Sequence, residues 1–180
     1  MLQLTVLSGG QTGVDLAALY AAEACKIPYA GWVPLHYTNE TGEHGIPERF
    51  CSALRETSTT ASAERTEKNI QDADGILTLL LESGESSGDG LTISPGTKLG
   101  IDHAHKLGKR DAQLCFVNLA NPDLVEQQHK VVKWLLEQKV SNCAIGGPRE
   151  SEAKGIEQKA LDFLTNVFQE YKEEMNKRRV

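Results

Sequence analysis

At 180 residues, 39% of them hydrophobic and 24% charged, the chain is long enough to bury one sizeable core, and a single domain over 1–180 is expected. Its formal net charge of −6 argues against broad binding to nucleic acid or to an anionic membrane, where a basic face supplies most of the affinity. A local anion pocket made of backbone N–H groups remains compatible with that charge.

LQLTVL (2–7) is apolar and carries β-branched side chains, as a buried parallel strand does. SGGQTGVD (8–15) leads from it into a helix over 12–25, with Val14, Ala17, Ala18, Ala21, Ala22 and Cys25 at helical spacing. YAGWV (29–33) reads as a second strand, after which Pro, Gly and polar residues erase periodicity up to about Phe50. Ser62 is placed to cap a helix through about Asp72, with Glu64 in its first turn. GILTLLL (75–81) is the clearest central strand, and SGESSGDG (83–90) after it is a loop. A helix from Thr97 to Leu107 stops at Gly108. LCFVNL (114–119) is another strand, and Asn121-Pro122 supplies a cap and a first-turn proline for a helix ending near Lys139. NCAIGG (142–147) is the last strand. From Ser151 a helix puts Ile156, Ala160, Phe163, Leu164, Val167, Phe168 and Tyr171 on one stripe, and its charged tail is expected to fray from about residue 172.

Strands alternating with helices imply βαβ units: an α/β protein with a mainly parallel sheet and helices on both faces. Ligands in such sheets bind at the carboxyl ends of the strands. The four cysteines, Cys25, Cys51, Cys115 and Cys143, form no C-x-x-C pair, which excludes the usual zinc and thioredoxin spacings. Cys115 and Cys143 sit in apolar runs and read as small hydrophobes. Without a basic leader or an apolar stretch near the roughly 20 residues that span a bilayer, a soluble protein of the reducing cytoplasm is expected, with no membrane partner.

Chemistry is therefore sought in the loops. In SGGQTGVD, Gly9, Gly10 and Gly13 remove side chains where a phosphate would approach the backbone, and Gln11 and Thr12 add donors beside the unpaired N–H groups of a helix start. The segment has neither the Walker spacing nor G-x-G-x-x-G, and its plainer reading is a tight turn with a helix cap. SPGTK repeats the logic with Ser94, Gly96 and Thr97, and is equally a cap. GGPRESE offers Gly147, Arg149 and Ser151 to an anion, or is a surface turn with an Arg–Glu pair. Arg65 and Asn69, four apart, share a helix face that is either functional or simply solvated. His103 and His105, two apart, make a poor metal site, and no metal is expected. No catalytic nucleophile stands out.

SGGQTGVD, GWVP (31–34), GIPERF (45–50), LRET (54–57), ERTEKNIQDADGIL (64–77), SPGTKLG (94–100) and GGPRESEAKGI together resemble the molybdenum cofactor carrier family, in order, from about residue 3 to 165. The resemblance implies a Rossmann-like three-layer sandwich related to the lysine-decarboxylase-like phosphoribohydrolases and to DNA-processing protein A. It implies a carrier, more a binding protein than an enzyme, that assembles as a dimer or tetramer. The cargo would be molybdenum cofactor, an anionic pterin with a phosphate, for delivery to a molybdoenzyme apoprotein. Gly9, Gly10, Gln11, Thr12, Gly13, Gly96 and Thr97 would contact the phosphate, with Arg149 and Ser151 as further anion contacts. The rival expectation is a nucleotide-binding protein or a nucleoside-monophosphate hydrolase using Arg65, Glu67 and Asp102. SPGTKLGID departs from the hydrolase loop, because Gly100 stands where the catalytic acid belongs.

Overall fold

The computed structural model describes residues 3–81 and 102–178. The expected contacts Ser94, Gly96 and Thr97, the 83–90 loop and the start of the helix predicted from Thr97 lie outside the described residues. In chain order the strands are β1 (Thr5–Leu7), β2 (Tyr29–Ala30), β3 (Trp32–Val33), β4 (Arg55–Glu56), β5 (Gly75–Leu80), β6 (Leu114–Asn118) and β7 (Asn142–Gly146). The helices are α1 (Val14–Ala24), α2 (Glu48–Cys51), α3 (Ser62–Asp72), α4 (described over 102–106), α5 (Leu124–Glu137) and α6 (Ile156–Lys177).

Five strands form one parallel sheet in the order β2-β1-β7-β5-β6, and β3 pairs with β4 in a small parallel sheet of its own. The register aligns Leu7, Ala144 and Ile76 across β1, β7 and β5, and Gly146 with Thr78. Side chains alternate across a sheet, so these residues share one face, while Val6, Cys143 and Leu77 share the other. Against that second face pack α1, α5 and α6. The alanine stripe of α1 (Ala17, Ala18, Ala21, Ala22) is fully buried and lets α6 approach closely with Phe163, Leu164, Val167 and Phe168. Each of the large side chains so buried contributes about 1.5–3 kcal/mol. The first face carries a smaller apolar cluster of Leu7, Ala73 and Ala144, on the side of α3. The expected α/β sandwich is thus present.

Several local expectations are corrected. YAGWV does not form one strand. It breaks at Gly31, whose φ of 141° and close approach to the Ser8 carbonyl, 2.2 Å from where a Cβ would stand, turn the chain from β2 into β3. Ser62 is the first residue of α3 rather than its cap, and no side chain caps that helix at Ala61. The cap of α5 is Asp123, which accepts the Glu126 N–H at 2.9 Å, and Pro122 lies before it. α6 starts at Ile156, after a Gly155 cap with φ 83°, not at Ser151. It also continues through the charged tail to Lys177, whose ammonium reaches Glu174 at 2.6 Å.

All four cysteines are free. Burial pushes the Cys115 thiol up to about 11 and the Cys143 thiol, in the central strand, higher still. Thiolate is the reactive form. A neutral alkylating reagent is therefore expected to modify half-buried Cys51 first in the native protein and to reach Cys115 and Cys143 only on unfolding. Mass mapping of the adducts checks this, and equal native rates at Cys51 and Cys143 would refute the packing described.

Candidate functional site

The last strand of the chain lies in the middle of the sheet. If β7 is counted first, the order β2-β1-β7-β5-β6 becomes 3-2-1-4-5, the doubly wound order whose ligand crevice opens between strands 1 and 4. Those strands are β7 and β5. A cavity of about 580 Å³ lies there. Its floor is the α3-facing side of the sheet: Leu7, Ile76, Thr78, Leu80, Ala144 and Gly146. Arg65, Thr66, Asn69 and Ile70 of α3 line it as well, together with Gly9, Gly147, Pro148 and Glu152 from the loops after β1 and β7.

A buried ion pair closes one end. Arg65 Nη1 donates to Asp15 Oδ2 at 2.7 Å, with 15% and 4% of the two side chains exposed. Asp15 stands in the first turn of α1 and also accepts the Gln11 N–H at 3.3 Å. Burial pushes its carboxyl above the ordinary carboxylate range, against the opposing pull of Arg65. Gly9 makes room for this pair, since a Cβ there would lie 1.8 Å from Arg65 Nη1.

The other glycines have similar explanations. Gly13 has φ 77°, and a Cβ would lie 2.5 Å from the Pro148 carbonyl oxygen; at Gly147 it would lie 2.3 Å from that of Leu79. At Gly10, with φ 71°, a Cβ would lie 2.3 Å from Ile46 Cδ1. The glycines of both loops are therefore required by packing within the chain. This agrees with the plainer reading of the first loop as a tight turn.

One correction concerns the start of α1, most of whose N–H groups have partners within the chain. Val14 N donates to the Pro148 carbonyl at 3.3 Å, Gly13 N to Glu157 Oε2 at 2.9 Å, and Thr12 N to Gln11 Oε1 at 3.0 Å. Gln11 Oε1 also accepts the Glu40 N–H at 2.8 Å. The Glu40 carboxylate accepts the hydroxyls of Thr12 and Ser151, along with the Ser151 N–H at 3.3 Å. Those hydrogen bonds, from Ser151 first and Thr12 second, hold its carboxyl below the usual range. Near the start of α6, Glu150 accepts the N–H groups of Gly155 (2.5 Å) and Glu157 (3.1 Å). The protein's own carboxylates thus stand where the sequence suggested a phosphate.

Among the other expected contacts, Arg149 pairs with Glu152 at 3.3 Å, as the plainer reading of its turn had it. Asn69 shares the cavity wall with Arg65, but both ends of its amide are used: Oδ1 accepts from Trp32 N and Nδ2 donates to the Trp32 carbonyl, each at 2.8 Å. Glu67 and Asp102 are exposed, and neither lines the cavity with Arg65. His105 pairs with Asp111 at 2.8 Å. Among the described residues no group of three or more His, Cys, Asp or Glu is placed to hold a metal, and no helix is long and apolar enough to cross a membrane. Of the suspected loops, SGGQTGVD and GGPRESE do meet, through Thr12, Glu40 and Ser151. Asp15, Glu40 and Glu157 were missed. Asp15 alone carried a signal, as an acid one turn into a helix that follows a glycine-rich strand end.

The chain belongs to the circularly permutated YpsA SLOG family, whose profile matches residues 6–168. Permutation is what the strand order displays. A solved structure from Syntrophus aciditrophicus SB, described as a "putative molybdenum carrier protein", is 30% identical with a TM-score of 0.77, over 93% of this chain and 95% of that one. The resemblance read from the motifs and the Rossmann-like fold it implied are both borne out. No curated protein matches the chain.

Gly147→Ala is expected to destabilise the protein by about 1–3 kcal/mol, because the added methyl meets backbone that cannot yield. Gly146→Ala, whose Cβ would meet only Asp15 Oδ1 at 3.6 Å, is expected to stay within about 0.5 kcal/mol of the parent. Urea denaturation compares them, and equal costs would contradict the close contact with Leu79.

Proposed function

We propose that the protein is a carrier that takes molybdenum cofactor as cargo, seats its ring system in the cavity between β7 and β5, and hands it unchanged to a molybdoenzyme apoprotein. The observation that carries this reading is the cavity itself. It lies at the switch point of the permuted sheet, with an apolar floor for a flat ring and a polar end at Arg65, Asp15 and Gly9. Membership of the family and the name given to the Syntrophus aciditrophicus protein support it.

The finer expectation, a phosphate cradled on open helix N-termini, loses support at α1, most of whose first amides are already bonded within the protein. The reading rests on the cavity instead. For a phosphate to reach Thr12 and Ser151, it has to displace Glu40. The hydrolase alternative has less support, because its three proposed groups do not meet: Arg65 is bonded to Asp15, while Glu67 and Asp102 are exposed. Assembly as a dimer or tetramer belongs to the same proposal, and light scattering checks it.

Loaded protein is expected to restore activity to a cofactor-free molybdoenzyme, and nucleoside monophosphates are expected to release no free base in its presence. Ala144→Leu, which fills the cavity floor, is expected to weaken cargo binding about tenfold or more, equivalent to about 1.4 kcal/mol, with circular dichroism unchanged. Base release, or full binding by this variant, counts against the proposal.

A further inference from the structure

We infer that Gly146 and Thr78, paired across β7 and β5, form the notch that takes the polar edge of the cargo's ring: Gly146 leaves the space, and the Thr78 hydroxyl supplies a hydrogen bond. The inference deepens the cargo-in-cavity reading and rests on it.

Gly146, the last residue of β7, is a glycine that the fold does not explain. Glycine in a strand answers to a bulge, a bend or the close approach of another group. β7 keeps unbroken register with β5 through Gly146, so there is no bulge. Its φ lies outside the left-handed region, in backbone that other residues adopt. Among the described residues, a Cβ built there would meet only Asp15 Oδ1 at 3.6 Å, an ordinary van der Waals contact. At Gly9, Gly13 and Gly147, by contrast, a chain atom lies 2.5 Å or less from that position. The space over Gly146 is kept open for something other than the described chain.

The partner of Gly146 in register is Thr78, on the sheet face that also carries Ile76 and Ala144. Both belong to interior strands, yet both are half-buried and both line the cavity. Leu77, Leu79 and Ile145, which point to the opposite face, are buried, so the exposure is on the cavity side. The Thr78 hydroxyl makes no hydrogen bond to a described residue. Unlike Arg65 Nε and His103 Nε2, it is not sealed inside the protein. Among the floor residues Leu7, Ile76, Thr78, Leu80, Ala144 and Gly146, Thr78 alone has a polar side chain.

The class of ligand follows from the rows of the sheet. A ring seated on Leu7, Ala144 and Ile76 turns an edge to the next row, Gly146 and Thr78. A nitrogen or oxygen at that edge can bond the hydroxyl, which both donates and accepts. An all-carbon edge strips water from the hydroxyl and returns nothing. The notch therefore selects a fused heterocycle over a hydrocarbon of the same outline.

The test uses the full chain and two probes, pterin and naphthalene, each built on two fused six-membered rings, with binding read by fluorescence and calorimetry. Pterin is expected to bind the parent protein more tightly. Thr78→Val exchanges the hydroxyl for a methyl, and is expected to weaken pterin about fivefold or more while naphthalene binds as before or more tightly. Thr78→Ser restores the hydroxyl and is expected to recover most of that loss. Gly146→Ala fills the space, and is expected to weaken both probes about fivefold or more at an unchanged urea midpoint. Should Thr78→Val fail to fold, Gly146→Ala and the parent's preference still decide. Equal losses of both probes in Thr78→Val, full pterin binding by Thr78→Val or by Gly146→Ala, or a parent without a preference for pterin, failure to bind it included, would each overturn the inference. If the variants behave as expected but the loaded parent cannot reconstitute a molybdoenzyme, the notch stands and the carrier reading falls. Reconstitution that both variants leave at the parent's level has the opposite consequence.

Discussion

The contact on which the site depends is the buried pair of Asp15 and Arg65. It joins α1, packed on one face of the sheet, to α3 on the other, over the end of β1. Two charges withdrawn from water are expensive, and a buried pair is weak evidence of net stability. Removing one partner is another matter, because it strands the other charge and costs about 3–5 kcal/mol. The pair therefore acts as a constraint: with both charges present, the helices and the loop between them have one arrangement that satisfies each. Gly9 follows from it, since any side chain at that position would occupy the space of the guanidinium.

The carboxylates around the α1 start extend the same logic. A helix start with open amides attracts negative charge through its dipole. In an acidic chain the nearest negative charge is the protein's own. Glu157 comes from α6 and Glu40 from the loop after β3, so two distant segments are drawn onto the 8–13 loop. These contacts knit the strand ends together, and they also raise the cost of admitting a foreign anion at the same atoms. Among the described residues the cavity has no such competitor across its apolar floor, which is why the functional weight moves there.

How much of this was legible in the sequence depended on the range of the interaction. The main-sheet strands and most helices were readable because alternation and helical spacing are local patterns. Strand order was not, since β7 reads like any other apolar run and nothing near it reveals that it inserts between β1 and β5. Gly31 was visible as a glycine inside a strand, a usual sign of a bend or close approach, yet the two-sheet outcome depends on Ser8, 23 positions away. Glycine was the most ambiguous letter. In Gly9, Gly13 and Gly147 the demand for a missing Cβ comes from Arg65, Pro148 and Leu79, partners that only the fold supplies. Arg65 was recognised as a candidate, but its neutralising partner, 50 residues earlier, was not.

Permutation also places the site late in the chain's order of assembly. β1 and β5 touch β7 rather than each other, so the row Leu7–Ala144–Ile76 that floors the cavity exists only after the last strand has inserted. Pairing at such sequence separation is slow, because loop closure comes before any contact that rewards it. The segment that inserts then supplies Gly147 and Pro148 to the rim, and Glu157 of the following helix reaches the α1 start. Until that segment docks, the Gly13 amide and the α3-facing side of β1 lack these partners. Completion of the sheet and formation of the crevice are one event, so a molecule that fills the cavity would stabilise the strand that closes the fold.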